Sequence, residues 1–293
     1  MRRSAYGTFA DNYLKRINEE KIKQARVSVF SSESSAELRE RVFSSAVDAC
    51  HRQVSETGLD TSCSGSTMVS VVCMQDRLVV ANVGDSRAVL CSLEPEGGED
   101  AEQAGSGRVS WKTLSHDHKP NLPAEMERIV KANGRVESVR DAAGNGIGPM
   151  RVWLKSENTP GLAMSRSIGD GIAHSVGVIH EPEVTEHALQ EHDVFIVLAS
   201  DGVWEFLSND DVVKIVYPCW KSSSPEIAAE RVIKESLSKW KTMQDFVDDI
   251  TVIVVFLKNS LNVEGKLTAT AGVRSAGPSQ CEEEEAQHLS GGR

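Results

Sequence analysis

The sequence has fewer basic than acidic residues, and this deficit excludes one broad class of partner. Across 293 residues, 32 lysines and arginines stand against 43 aspartates and glutamates, so the formal net charge is −11. Proteins that bind nucleic acids neutralise the phosphates with clustered lysine and arginine side chains. We therefore expect no nucleic-acid partner.

Long apolar runs and paired cysteine motifs are also missing. The main apolar stretch, residues 250–257, is far shorter than the roughly 20 residues that a membrane-spanning helix needs. No apolar segment follows Arg2 and Arg3 before Asp11, so a secretory signal is not indicated. The six cysteines are scattered without a C-x-x-C pair, which favours reduced thiols over a zinc site. We expect a cytoplasmic or nuclear protein that makes no membrane contact.

The composition is typical of a folded protein. Hydrophobic residues make up 40% and charged residues 26% of the chain, near the averages for globular domains. Within residues 1–61, Phe9, Tyr13 and Ile17 form an apolar stripe that predicts a helix, and a second helix is predicted from about Ala36. Both are interpreted as packing helices because their residues carry no obvious chemistry.

The sequence becomes rich in β-branched residues after position 64. Residues 68–74, 78–83 and 87–91 predict three short strands that follow one another as a meander. Residues 194–198 and 250–257 are apolar on both faces and predict buried strands.

Helices and polar segments separate these strands. Residues 123–132 and 226–240 have helical apolar spacing. Residues 93–107 contain five acids, four glycines and no bases, which predicts an exposed acidic insertion loop. Residues 258–293 contain few large apolar side chains and are predicted to be a disordered tail.

Acidic residues stand at the ends of the two buried strands. Asp201 follows the strand at 194–198, and Asp248 and Asp249 precede the strand at 250–257. If the strands are antiparallel neighbours, these two ends lie together. Mg²⁺ and Mn²⁺ prefer such oxygen ligands, which suggests a metal site. Since Asp-Gly is a common turn dipeptide, the acids could instead cap turns, and spacing alone leaves both interpretations open.

Eight motifs in one order carry a more specific signal. They are SGST (64–67), VANVGDSRAVL (80–90), LSHDHKP (114–120), ERI with NG-x-V (127–136), GLAMSRSIGD (161–170), EPEV (181–184), VLASDGVWEFLSN (197–209) and DDITVIVV (248–255). Together, across residues 62–257, they resemble the metal-dependent protein serine/threonine phosphatases of the protein phosphatase 2C class, also called PPM type. The resemblance implies an α+β fold, a sandwich of two antiparallel β-sheets flanked by α-helices.

The resemblance also implies roles for single residues. Asp201 and Asp248 match the family's metal-binding aspartates, which hold Mg²⁺ or Mn²⁺. Asp85 and Glu205 match the pair that holds an additional metal, although Glu205 stands where the family has Asp. Arg166 lies in a motif near the rim of the family's active site and is a candidate phosphate contact. No residue of the chain is assigned as catalytic.

One departure from the family pattern lies upstream. Family members carry an arginine, an M-E-D motif and a strand ending in D-G-H-G near the start of the domain, and residues 1–61 contain none of these motifs. We therefore expect residues 1–257 to form a truncated domain that lacks the amino-terminal metal motifs and one or more strands. A sheet edge exposed in this way would be open to a protein partner.

These observations lead to three functional interpretations. In the first, the chain hydrolyses phosphoserine and phosphothreonine in phosphoprotein substrates with metal-activated water, at an activity reduced or abolished by the missing motifs. In the second, it is a non-catalytic pseudophosphatase that acts as a binding or regulatory module. In the third, the sequence is an incomplete gene model or splice form of an ordinary phosphatase.

Overall fold

The computed structural model describes residues 36–74, 76–94, 108–244, 246–258 and 268–276. The chain divides into two compact units, and each contains two stretches of sequence. The first unit comprises Met1–Asp85 and His116–Glu186, and the second comprises Ser86–Ser115 and His187–Arg293. The helix predicted around Phe9 lies outside the described residues. Among the described helices, none combines the length and the apolar character needed to span a membrane.

The described elements are short helices and strands in a mixed order. The helices are α1 (Ala36–Glu56), α2 (Pro123–Lys131), α3 (Gly171–His174), α4 (Asp201–Trp204), α5 (Asn209–Lys221) and α6 (Pro225–Met243). The strands are β1 (Gly65–Ser66), β2 (Met68–Cys73), β3 (Arg77–Val83), β4 (Arg87–Glu94), β5 (Arg108–Thr113), β6 (Gly134–Arg140), β7 (Gly146–Leu154), β8 (Pro160–Leu162), β9 (Ile168–Gly169), β10 (Glu183–Ala188), β11 (Asp193–Ala199), β12 (Ile250–Lys258) and β13 (Thr268–Ala276).

The second unit is built on a five-stranded antiparallel sheet. Its strand order is β13-β12-β11-β4-β5. All seven residues of β11 are buried, and the strand lies in the middle of the sheet. Apolar side chains of α5 and α6, such as Val216 and Val232, join Phe195 and Val254 in one large core cluster. The two predicted buried strands are thus confirmed as neighbours.

The first unit contains smaller sheets and smaller apolar clusters. Its sheets have the strand orders β10-β3-β2, β6-β7-β8 and β1-β9. On α1, Phe43 packs with Val79 and Ala81 of β3. On α2, Ile129 belongs to a separate cluster with Val152 of β7. The expected combination of antiparallel sheets with packed helices is confirmed, as are the helices predicted near 36, 123 and 226.

Three of the described helices, α3, α4 and α5, were not predicted from the sequence, and α5 is the longest of them. Helix α5 begins at a capping box, in which the Ser208 side chain accepts a hydrogen bond from the Asp211 backbone N–H while the Asp211 carboxylate accepts one from the Ser208 N–H. Serine followed three residues later by an acid is a readable helix start. Pro218 lies inside this helix and weakens the periodic signal near its end.

The predicted three-stranded meander is wrong in its third strand. Strands β2 and β3 pair antiparallel, but β4 pairs with β11 and β5 in the second unit. The chain leaves the first sheet at Gly84, whose φ of 101° is in the left-handed region that favours glycine. Local spacing shows that three strands exist but does not show which sheet each one joins.

The predicted disordered tail also needs a correction. Thr268–Ala276 forms β13, which pairs along its whole length with β12. A side chain at Gly272 would collide with the backbone of Pro225 and Glu226, so a glycine is needed where β13 lies against α6. Small residues allow this close packing but give little hydrophobic signal, which is why the composition pointed to disorder. Residues 259–267 and 277–293 of the predicted tail, and 95–107 of the acidic loop, lie outside the described residues.

Candidate metal centre

Asp201 and Asp248 lie at one end of the five-stranded sheet, after the end of β11 and before the start of β12. We call this end the carboxylate edge. The register of β11 against β12 places Ala199 opposite Val252. Beyond this pair, the Ser200 N–H donates to the Thr251 carbonyl over 3.1 Å, and the Thr251 N–H donates to Ser200 Oγ over 3.1 Å. The two strand ends that carry the aspartates therefore lie side by side, as antiparallel pairing predicted.

Close backbone packing holds this edge together. Ser200 Oγ donates to the Asp249 carbonyl over 3.1 Å. A Cβ atom at Gly202 would lie 2.5 Å from the same carbonyl oxygen, so only glycine permits this approach of α4. Trp240 Nε1 donates to the Gly202 carbonyl over 2.7 Å, which ties the start of α4 to α6. The Asp-Gly pair is thus part of a packed strand-to-helix connection rather than an exposed turn.

The side chains at this edge suit a hard cation. Asp201 and Asp248 are half-buried, and Asp248 Oδ1 accepts a hydrogen bond from the Asp249 N–H over 2.8 Å. Glu205 is exposed, and its N–H donates to the Asp201 carbonyl, so it lies one helical turn beyond Asp201. Carboxylates are the oxygen donors that Mg²⁺ and Mn²⁺ take. In this structure Asp201, Asp248 and Glu205 do not form a group of three ligand atoms within 4.8 Å of one another. The metal role of these residues stays a prediction.

Asp85 lies in the first unit and is almost completely buried. Its side chain is 2% exposed, and Lys119 Nζ lies 2.5 Å from Oδ2. The other carboxylate oxygen, Oδ1, has no hydrogen-bond partner. A buried carboxylate oxygen without a donor is unfavourable unless it meets a cation or water, although the Lys119 ammonium already neutralises the carboxylate of Asp85. The predicted pairing of Asp85 with Glu205 of the second unit stays a prediction.

Comparison with known families decides the identity of the fold. The sequence profile of the family described as Protein phosphatase 2C matches residues 3–242. The chain belongs to the protein phosphatase 2C family. The match begins well before residue 62, where the resemblance of the motifs starts, and it ends before Asp248.

Curated plant relatives support this assignment. The chain is 38% identical over 230 residues to "Probable protein phosphatase 2C 72" of Arabidopsis thaliana, covering 78% of this chain and 64% of the relative. It is 43% identical over 202 residues to "Probable protein phosphatase 2C 48" of Oryza sativa subsp. japonica, covering 68% of this chain and 53% of the relative. The chain therefore spans about half to two thirds of these relatives.

Solved structures show the same fold. The crystal structure of serine-threonine phosphatase 2C from Toxoplasma gondii aligns with a TM-score of 0.64 at 19% sequence identity, covering 87% of this chain and 76% of that one. At this identity the likeness concerns the fold alone. It matches the mixed arrangement of antiparallel sheets and helices described above.

Arg166, the candidate phosphate contact of this family member, lies in a buried ion network of the first unit. Its Nη2 lies 2.8 Å from Glu125 Oε1, and its Nη1 donates to the Glu181 carbonyl over 2.9 Å. Arg128 donates to the same carboxylate over 2.7 and 2.9 Å, and the Ser165 hydroxyl donates to it over 2.6 Å. These contacts hold residues 165–167 in place, an arrangement that favours a structural role for Arg166.

Glu125 is the residue of this network that sequence reasoning missed. Its burial would raise the pKa of the carboxyl, but hydrogen bonds from Arg128, Arg166 and Ser165 outweigh burial and hold the pKa well below its usual range. The available signal was the spacing of Glu125 and Arg128, which stand three residues apart on one helix.

His118 supports the turn that carries Asp85. The Gly84 N–H donates to His118 Nδ1 over 3.0 Å, and the His118 N–H donates to the Gly84 carbonyl over 3.0 Å. Burial, together with the positive charge of Arg166, lowers the pKa of His118 to about 4. A neutral, buried imidazole of this kind positions the turn, so His118 of the LSHDHKP motif has a structural role.

Proposed function

We propose that this chain is a metal-dependent phosphatase of the protein phosphatase 2C type that hydrolyses phosphoserine and phosphothreonine in protein substrates. The observation that carries the proposal is the placement of Asp201 and Asp248 at neighbouring strand ends of one sheet. The family match and the unpartnered buried oxygen of Asp85 support it. The family's two-sheet sandwich belongs to the same proposal.

In this proposal, Asp201 and Asp248 hold Mg²⁺ or Mn²⁺, and Asp85 and Glu205 hold an additional ion. When bound, such ions lower the pKa of water and neutralise phosphoryl oxygens. The chain's own residues fix the carboxylates. Gly202 allows the close approach of α4, and Trp240 holds the Gly202 carbonyl.

The test is hydrolysis of a phosphothreonine peptide by the purified chain with Mn²⁺, compared with a blank that contains the metal alone. We expect turnover that falls at least about 100-fold in Asp201→Asn, because the substitution removes a charged metal ligand. Asp210→Asn is the matched control, since Asp210 is exposed on α5 and pairs only with Lys214 among the ion pairs of the described residues. Equal activity of Asp201→Asn and the control would contradict the site.

A second candidate function is a binding module without turnover. It is favoured by one observation, that Arg166, the candidate phosphate contact, is held by the Glu125 carboxylate and the Glu181 carbonyl. Thermal melting separates the two proposals, because a ligand that binds the native state raises the melting temperature. An increase with Mn²⁺ that Asp201→Asn abolishes, without turnover in the wild-type chain, would support metal binding without catalysis. In that case, binding of a protein partner at the edge of a sheet becomes the main proposed function. Among the described residues, β2 is an edge strand of its sheet.

A further inference from the structure

Three histidines from separate segments of the first unit meet in one cluster. His51 lies on α1, His174 is the last residue of α3, and His180 lies in the segment before β10. Each offers a ring nitrogen within 4.8 Å of a ring nitrogen of the other two. None of them belongs to the carboxylate site, and imidazole nitrogens suit Zn²⁺ and Cu²⁺ better than Mg²⁺.

Two of the rings make the second hydrogen bond that metal-binding histidines usually make. His174 Nε2 lies 3.0 Å from the Ser167 carbonyl oxygen, which can only accept, so Nε2 carries the proton and Nδ1 keeps a lone pair. His180 Nε2 lies 3.3 Å from Asp48 Oδ1, and the same reasoning leaves a lone pair on Nδ1. Metal-binding histidines typically donate their other N–H to a carbonyl or a carboxylate in this way.

A buried atom of the cluster has no partner at all. His180 Nδ1 is inaccessible to solvent and makes no hydrogen bond. Buried polar atoms are nearly always satisfied, so an orphaned lone pair in a cluster of three imidazoles indicates a missing ligand.

The rings are stacked, which defines what must move on binding. The centroids of His51 and His180 are 4.1 Å apart at 12°, and those of His51 and His174 are 4.7 Å apart at 26°. Nitrogens that share a tetrahedral Zn²⁺ at about 2.0–2.1 Å lie about 3.3 Å apart. Rotation of the rings about χ2, which has a broad energy minimum, can bring the lone pairs together. His51 must also release the hydrogen bond that its Nδ1 accepts from the Gly169 N–H over 3.3 Å.

From this geometry we propose that His51, His174 and His180 bind one Zn²⁺ ion, with Asp48 and the Ser167 carbonyl as positioning partners. Three protein ligands leave the fourth position for water or another small ligand. The bound ion would link α1 to α3 and to the segment before β10.

The test is a titration of the full chain, stripped with EDTA, with Zn²⁺ in the presence of saturating Mg²⁺. We expect one Zn²⁺ per chain and a rise in melting temperature. We also expect Co²⁺ to give the visible absorption bands of a nitrogen-ligated site. Affinity should fall at least about 100-fold in His180→Gln and about 10-fold to 100-fold in Asp48→Asn, which removes a positioning partner.

Two controls keep the result specific. His116→Gln changes an exposed histidine of the same unit, and Asp201→Asn changes the carboxylate site, so both should keep full Zn²⁺ affinity. Asp48 is partly exposed, so Asp48→Asn remains informative if a histidine variant fails to fold. The proposal is overturned if no Zn²⁺ binding is detected at free Zn²⁺ concentrations up to about 1 mM. It is also overturned if all variants bind Zn²⁺ equally, in which case the cluster is a packed imidazole stack.

Discussion

The two units of this protein are stabilised in different ways. In the second unit, apolar residues from β4, β11, β12 and three helices form one large cluster that includes Phe195. In the first unit, apolar residues form smaller clusters, and charged side chains are buried as well. Arg39, which is 2% exposed, pairs with Glu186, and Glu125 pairs with both Arg128 and Arg166.

This difference separates two sources of stability. Burial of apolar surface is non-directional and depends mainly on the volume that is filled. A buried ion pair is directional, and removal of one partner leaves an uncompensated charge. The second unit should therefore respond to changes in side-chain volume, and the first to changes in charge and pH.

The largest expected effect is in the second unit. Phe195→Ala should lower the free energy of unfolding by about 4 kcal/mol, because Phe195 is fully buried and the change leaves a cavity. Phe246→Ala, at a site that is 64% exposed, is the control and should cost far less. Denaturant unfolding measures the free energy of unfolding of both variants, and hydrogen exchange measures the protection of each unit separately. If Phe195→Ala lowers protection equally in the two units, they unfold together and the contrast does not hold.

A change of charge tests the first unit. Glu125→Gln keeps the shape of the side chain but leaves two guanidinium groups without their anion, and we expect a loss of about 3 kcal/mol. Glu127→Gln, on the same helix, breaks only the exposed pair with Lys131 and should cost less than about 0.5 kcal/mol. Urea unfolding measures the free energy of unfolding of both variants. Similar losses would show that the buried ion pairs of Glu125 add little to stability.

The smallest expected effect depends on pH. The pKa of His118 falls from 6.5 to about 4 in the folded chain, so the unfolded chain binds more protons between these values. The contribution of His118 to the free energy of unfolding is fully present above about pH 6.5 and is lost as the pH falls toward 4. We therefore expect the free energy of unfolding to be about 2 kcal/mol lower at pH 5 than at pH 7. His118→Asn keeps an acceptor for the Gly84 N–H but cannot titrate. Its unfolding free energy should therefore change less with pH, and identical pH profiles would rule out His118 as the cause.

Much of the candidate site could be predicted from short-range patterns. Apolar runs identified β11 and β12, and the acids at their ends identified Asp201 and Asp248. Antiparallel pairing then placed the two acids together, because residues that end one strand face residues that begin its neighbour. The metal roles of Asp201, Asp248, Asp85 and Glu205 remain predictions until ion binding is measured.

Other features could not be predicted, for a physical reason. The choice of sheet by β4, the pairing of β13 and the network around Glu125 all depend on contacts between distant parts of the chain. Single-sequence patterns describe only neighbours within one element.

The order of the motifs in the sequence by itself determined the family. The sequence also determined the positions of the acidic residues along the chain. Only the tertiary structure decided which side chains meet. Asp48 and His180 are 132 residues apart in the chain, yet they share a hydrogen bond beside two other histidines. No local periodicity records such a contact, because it forms only when α1 packs near the segment before β10. The carboxylate edge follows from strand pairing, whereas the histidine cluster follows from packing.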